Sequence, residues 1–217
     1  PGKGDITNMI RSYIHRCQKD GVKIVMNCEV TPELIKEEKP DSVIIATGSK
    51  TLILPIEGID NPAIIHGSDL LDGKRPAGKK VLVVGGGMVG CETAAFLGEQ
   101  EHDVTVIEFR DTVGADVIHE HRVYLMKDFE DYGIKEITGA KVCKFYEDGV
   151  EYETADGVRH ETRGYDSVIL SMGFRNYNPL EEKIKDLVPE THVIGDAIRA
   201  RRALDATKEA YEVASRL

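Results

Sequence analysis

The residues best placed to do chemistry in this 217-residue chain are four glycines, at positions 85, 86, 87 and 90 of the stretch VLVVGGGMVGCE. They follow an apolar run that reads as a buried strand and open a helix. Gly85 to Gly90 fit the spacing G-x-G-x-x-G, in which the first glycine permits a tight turn and the second lets backbone approach a pyrophosphate. The third lets the helix pack closely on the strand, and the helix N-terminus offers N–H donors and a positive dipole. Alone the pattern is weak, because a β–α turn with no ligand also collects glycines. Here it has the strand before it and the helix after it that the mechanism demands.

An acidic residue is then expected at the end of the next strand, to accept the hydroxyls of an adenosine ribose. DVTVIEF puts Glu108 there, 18 residues after Gly90. A carboxylate repels a 2′-phosphate, so NADH is favoured over NADPH, although Arg110 keeps the second open. The candidate cofactor-binding residues of this region are Gly85, Gly86, Gly87, Met88, Val89 and Gly90, with Glu108, Phe109 and Arg110.

Other chemistries find less support. Cys17, Cys28, Cys91 and Cys143 show no C-x-x-C spacing, so neither a zinc ribbon nor a local redox dithiol is readable. Scattered single cysteines fit a reducing, cytoplasmic setting. His119 and His121 stand two apart on an expected helix, where their rings diverge, so no metal site is assigned. No Ser–His–Asp set or carboxylate pair stands out, and no catalytic residue is assigned. The net charge of -10 argues against nucleic acid as a partner, since no basic excess exists to displace counterions. No apolar run reaches the length of a membrane span.

These residues need elements to hold them. Ile6, Met9, Ile10, Tyr13, Ile14 and Cys17 form one apolar stripe on an opening helix. Val22, Ile24, Met26 and Cys28 alternate as a strand, and a short helix spans about Pro32 to Glu38. SVIIATGS reads as a strand buried on both faces. Residues 50–78 read as a crossover. A second α/β unit then runs strand 80–84, helix 88–100, strand 103–108, helix 116–132 and strand 134–137. EDG and ADG turns mark an antiparallel meander, and YDSVILSMG closes the unit as a buried strand. THVIGDA is a last short strand, and ARRALDATKEAYEVASRL a terminal helix with Leu204, Thr207, Ala210 and Tyr211 along one side.

In order and spacing these phrases resemble the two-dinucleotide flavoprotein reductases. The pair GGGMVGCE and VTVIEF is similar to their pyridine-nucleotide lobe, and VIIATGS with VIGDA to the two phrases that meet FAD. More narrowly, LPIEGID, AGKKVLVVGGGMVGCETA and ARRALDATKEAYEVA resemble NADH:flavin oxidoreductases of the 2-enoate reductase and 2,4-dienoyl-CoA reductase type. The resemblance implies that Ala46, Thr47 and Gly48 approach the flavin cofactor and that Asp196, after Gly195, bonds the FAD ribityl chain. It places the helix start from Ala203 to Thr207 against the pyrophosphate and flavin ring. Glu92 takes the nicotinamide side and Gly173 lines the NAD cleft. Read from the residues alone, an aspartate in a Gly-Asp turn is the alternative for Asp196.

The expected fold is therefore α/β. A Rossmann-like parallel-sheet NAD-binding lobe with a β-meander, residues 75–173, is inserted into a partial FAD-binding α/β lobe, residues 1–74 and 174–217. The lobe is called partial because the family's own FAD glycine turn and an N-terminal barrel with FMN and a 4Fe–4S cluster have no counterpart here, and the chain starts at Pro1 without Met. The missing N-terminal part of the parent chain is then a partner, and unpaired strand edges leave self-association into a homo-oligomer open. The resemblance implies hydride passage from NADH to FAD and, in the parent, onward reduction of an enoate or enoyl C=C bond. A barrel-less NADH oxidase or ferredoxin reductase, and a non-catalytic NADH-binding module, are the alternatives.

Overall fold

The computed structural model describes residues 3–217. The chain forms two compact units, one of residues 51–173 and one of the segments on either side. The seam falls at Lys50/Thr51, not at 74/75. Residues 51–74 join the inner unit because Ile64, Ile65 and Leu70 are buried in its core.

The outer unit opens with α1 (Asp5–Lys19), carrying Asp5 in its first turn and Arg16 and Lys19 in its last, the charge order that a helix dipole favours. The helix forms as its periodicity requires, but its stripe is not buried: Ile6, Met9, Ile10, Tyr13 and Ile14 are 46–50% exposed. The strand expected at Val22–Cys28 is absent. These residues are irregular, because no described segment pairs with their backbone and a strand exists only through its ladder. In α2 (Pro32–Glu38), Thr31 accepts the Leu34 N–H and proline sits in the first turn. Strand β1 (Ser42–Ile45) follows, then β2 (Ser49–Thr51).

The inner unit begins with β3 (Ile65–His66) and α3 (Gly67–Leu71), so the expected crossover holds structure of its own. Next come β4 (Lys80–Val84), α4 (Met88–Glu99), β5 (Asp103–Ile107), α5 (His119–Asp131) and β6 (Lys135–Ile137). The meander is β7 (Lys141–Tyr146), β8 (Gly149–Glu153) and β9 (Arg159–Thr162), and β10 (Ser167–Leu170) returns to the main sheet. Helix α5 starts three residues later than the expected Asp116, since Ile118 is its N-cap. The parallel sheet has the order β3-β10-β4-β5-β6. Val81 and Val83 face the α4 and α5 side with Leu97, Leu125 and Phe129. Leu82 and Val84 face the meander side with Val142, Phe145 and Val150. Both faces are covered, which is why the strand before the glycines is apolar at every position rather than alternating.

The chain then re-enters the outer unit through β11 (Phe174–Asn176), α6 (Glu181–Ile184), β12 (Glu190–Val193), a 3-10 turn (Gly195–Ala197) and α7 (Ala203–Ala214). Strand β12 pairs with β1 in parallel, from Ser42 opposite Glu190 to Ile45 opposite Val193, and β11 pairs with β2. The core of this unit is Ile35, Ile45, Leu180, Ile184 and Val188. Only Ile45 of β1 is fully buried and Ile44 is 39% exposed, so β1 is covered on one face and not on two. In α7, Leu204 and Tyr211 are exposed.

Candidate functional site

In the inner unit, β5 and β10 flank β4 on opposite sides, and the chain leaves β4 through α4 toward β5. The C-terminal end of β4 is thus the switch point of the sheet, the place where open α/β sheets form a ligand crevice. Gly85 to Gly87 lie there, and at Gly85 and Gly86 neighbouring atoms stand too close for a side chain. Gly85 has φ +104, and a Cβ on it would stand 2.4 Å from the Ser171 carbonyl oxygen. A Cβ on Gly86 would meet Val113 Cγ1 at 2.8 Å and Glu108 Cβ at 2.9 Å, and one on Gly90 the Gly85 carbonyl oxygen at 1.8 Å. Gly87 differs: the nearest atoms to its missing Cβ are those of the Asp116 carboxylate, at 3.2 Å and beyond. Gly87 is the N-cap of α4 and lacks a side chain to cap it. The Met88 N–H is donated to Asp116 Oδ1 at 2.9 Å. In the first turn, the N–H groups of Val89 and Gly90 have no intrahelical acceptor.

Glu108 lies at the end of β5, half-buried. Its Oε2 accepts the Gly86 N–H at 2.6 Å and its Oε1 the Arg110 N–H at 2.9 Å, which fixes the carboxylate at the mouth of the turn. Each oxygen keeps a lone pair for a further donor. Phe109 is 69% exposed beside it, and Arg110 is exposed. One helical turn into α4, Glu92 Oε1 stands 4.0 Å from His121 Nε2 of α5. Gly173, at φ +94, has open space where a Cβ would be. Cys91 is fully buried and gives its thiol to the Gly86 carbonyl at 3.2 Å. Burial, with Asp116 adding to it, pushes the thiol pKa up to about 12, so this cysteine stays protonated and serves packing.

The outer unit gathers a second set. Ala46, Thr47 and Gly48 follow β1, Gly48 in the left-handed region at φ +76. The Thr47 hydroxyl bonds the Tyr177 carbonyl. Gly195 turns at φ +62 and donates its N–H to Glu209 Oε2 at 2.7 Å. Glu209 Oε1 takes Arg201 Nη2 at 2.5 Å. Asp196 is held from two sides, by the Ser49 hydroxyl at 3.2 Å and the Arg201 N–H at 3.0 Å. The Arg201 bond, with the Gly195 N–H, holds the Glu209 carboxyl below the usual carboxylate range. Ala46, Gly48, Gly195, Asp196, Ala203 and Thr207 are among the residues that line a recess of about 540 Å³. Small residues at the close approaches and one fixed carboxylate fit an extended cofactor with hydroxyls to satisfy.

The glycines, Glu108, Phe109 and Arg110 therefore meet at one end of the inner sheet, while Ala46 to Gly48, Gly195, Asp196 and Ala203 meet in the outer unit. Asp116, Arg201 and Glu209 were not singled out from the sequence: Asp116 stands in no motif, and Arg201 and Glu209, although within ARRALDATKEAYEVA, act on groups that only the fold brings near them.

Residues 4–195 match the profile of a family described as pyridine nucleotide-disulphide oxidoreductase. The chain is 29% identical over 99% of its length to the cinnamate reductase of Clostridium sporogenes, covering 32% of that protein. It is 31% identical over 99% of its length to the NADH oxidase of Thermoanaerobacter brockii, covering 34% of that protein. Among solved structures, 2-naphthoyl-CoA reductase with 2-naphthoyl-CoA superposes with a TM-score of 0.87 at 31% identity, over 98% of this chain and 32% of that one. The chain thus spans about a third of the length of these relatives.

Proposed function

Since the chain belongs to the pyridine nucleotide-disulphide oxidoreductase family, we propose that it binds NADH at the Gly85–Gly90 turn and FAD at the Gly48 and Gly195 recess. The observation that carries the reading is the glycine turn closed by Glu108: three positions admit no Cβ, and a fixed carboxylate stands beside the helix terminus. When both are bound, NADH supplies a hydride and FAD takes up its electron pair.

The chain's own residues orient. The first turn of α4 offers its amides and positive dipole end to a pyrophosphate. Glu108 offers its remaining lone pairs to ribose hydroxyls and disfavours a 2′-phosphate. Phe109 presents an exposed ring for an adenine to cover. In the outer unit, Gly48 leaves room for close approach, Gly195 lets the turn seat against Ala206 of α7, and Asp196 offers an acceptor to the ribityl hydroxyls. Glu92 and Gly173 take the nicotinamide end. In the longer protein the electrons go on to an enoate or enoyl C=C bond, a reading supported by the cinnamate reductase and 2-naphthoyl-CoA reductase relatives. The NADH oxidase relative supports delivery to oxygen as the second reading.

The test is the visible absorption of the chain with added FAD, titrated with NADH without oxygen. A protein-bound flavin band that bleaches on NADH supports the proposal, and a flavin that stays free in solution contradicts it. Oxygen consumption on admitting air distinguishes the second reading.

A further inference from the structure

Asp116 occupies a telling place. Its Oδ1 holds the Met88 N–H at 2.9 Å, and its Oδ2 lies 3.2 Å from where a Cβ on Gly87 would be. This amide and this glycine are the ones a pyrophosphate uses at such a turn. We propose that Asp116 is an internal competitor of the dinucleotide: its carboxylate covers the pyrophosphate position and turns away for the cofactor to seat. The inference rests on the dinucleotide reading of the turn and adds a residue that sets its affinity.

Three observations support it. The segment that bears Asp116 is anchored on both sides, by the Gly114 N–H on the Gly86 carbonyl at 2.7 Å and by buried Val113 and Val117. Asp116 itself is exposed, so its side chain can rotate without moving that backbone. The contact also puts like charges together. Glu108 already holds the neighbouring Gly86 N–H, so two carboxylates flank the terminus where two phosphate charges must come. An ordinary helix cap has no such conflict, since it sits where nothing else binds.

The experiment uses the 217-residue chain and its D116N and D116A variants, titrated calorimetrically with ADP-ribose, NADH and adenosine. Asparagine keeps an acceptor for Met88 N–H and removes only the charge. The expected result is that D116N binds ADP-ribose and NADH about three- to tenfold tighter than the parent, the size of a solvent-screened like-charge contact. Adenosine, which has no phosphate, binds both alike, and the gain shrinks in high salt. D116A melts earlier than the parent without ligand, and ADP-ribose raises its melting temperature by more. Equal or weaker ADP-ribose binding by D116N overturns the inference, as does an equal gain for adenosine. Failure of the parent and both variants to bind ADP-ribose or NADH instead removes the dinucleotide reading, and the inference with it.

Discussion

Glu209 shows how much of the candidate flavin recess depends on a residue whose role its sequence position does not reveal. One carboxylate joins the Gly195 N–H to the Arg201 side chain, while the Arg201 N–H holds Asp196. Because these bonds hold the Glu209 carboxyl below its ordinary 4.5, they favour the folded state whenever the group is ionised. Their contribution is complete above the unfolded-state value and is lost as pH falls through the lowered folded-state value. Replacing Glu209 by Gln keeps an acceptor for Gly195 and removes the charge. The melting temperature of E209Q should lie below the parent's at pH 7, and the gap should close as pH falls below about 4.5. A gap independent of pH would show that charge plays no part. From sequence, Gly85 to Gly90 and Glu108 were legible because their types and spacing are set by local sterics. Glu209 and Asp116 were not, because their partners are backbone amides brought near by tertiary packing.

Among the elements, β4 and α1 form an instructive contrast. Both were read from apolar patterning, and both form at the expected positions. In β4, Leu82 is fully buried between sheet and meander, and Leu82→Ala should cost about 2–5 kcal/mol in urea unfolding. In α1, Ile10 is 50% exposed, and Ile10→Ser should shift stability by no more than about 0.5 kcal/mol. A large loss for the second variant would show that the stripe is covered in solution. Periodicity reported that α1 has an apolar face, but it carries no information on what covers that face. The same limit explains Val22–Cys28: alternation marks a segment able to pair, and the ladder needs a neighbour that no described residue supplies. In the inner sheet β4, β5, β6 and β10 were legible, the first three through βαβ crossovers that are local in sequence. Strand β3 was missed because two residues, Ile65 and His66, are too short to show any period.

Taken whole, the chain divides its burial unequally between the two units. The inner unit has a sheet covered on both faces, whereas the outer unit relies on Ile35, Ile45, Leu180, Ile184 and Val188 around two paired strands. Local stability follows the density of buried apolar contacts. In hydrogen exchange, amides of β1 and β12 should therefore exchange well before those of β4, β5 and β10, with exchange at a common rate opposing this account. The two phrases VIIATGS and VIGDA, which the resemblance pairs, stand on either side of the inner unit, and both lie in the outer one. The seam was not legible, since residues 51–74 look like linker in composition and reveal their allegiance only in the fold, through buried Ile64, Ile65 and Leu70 and the pairing of β3 with β10. A dinucleotide held at the glycine turn of the inner unit would be read residue by residue in amide NMR. On addition of NADH to the isotope-labelled chain, the resonances of Gly86, Gly87, Met88, Val89 and Glu108 should shift together and saturate. Shifts confined to residues remote from that turn, or none at saturating NADH, would contradict it.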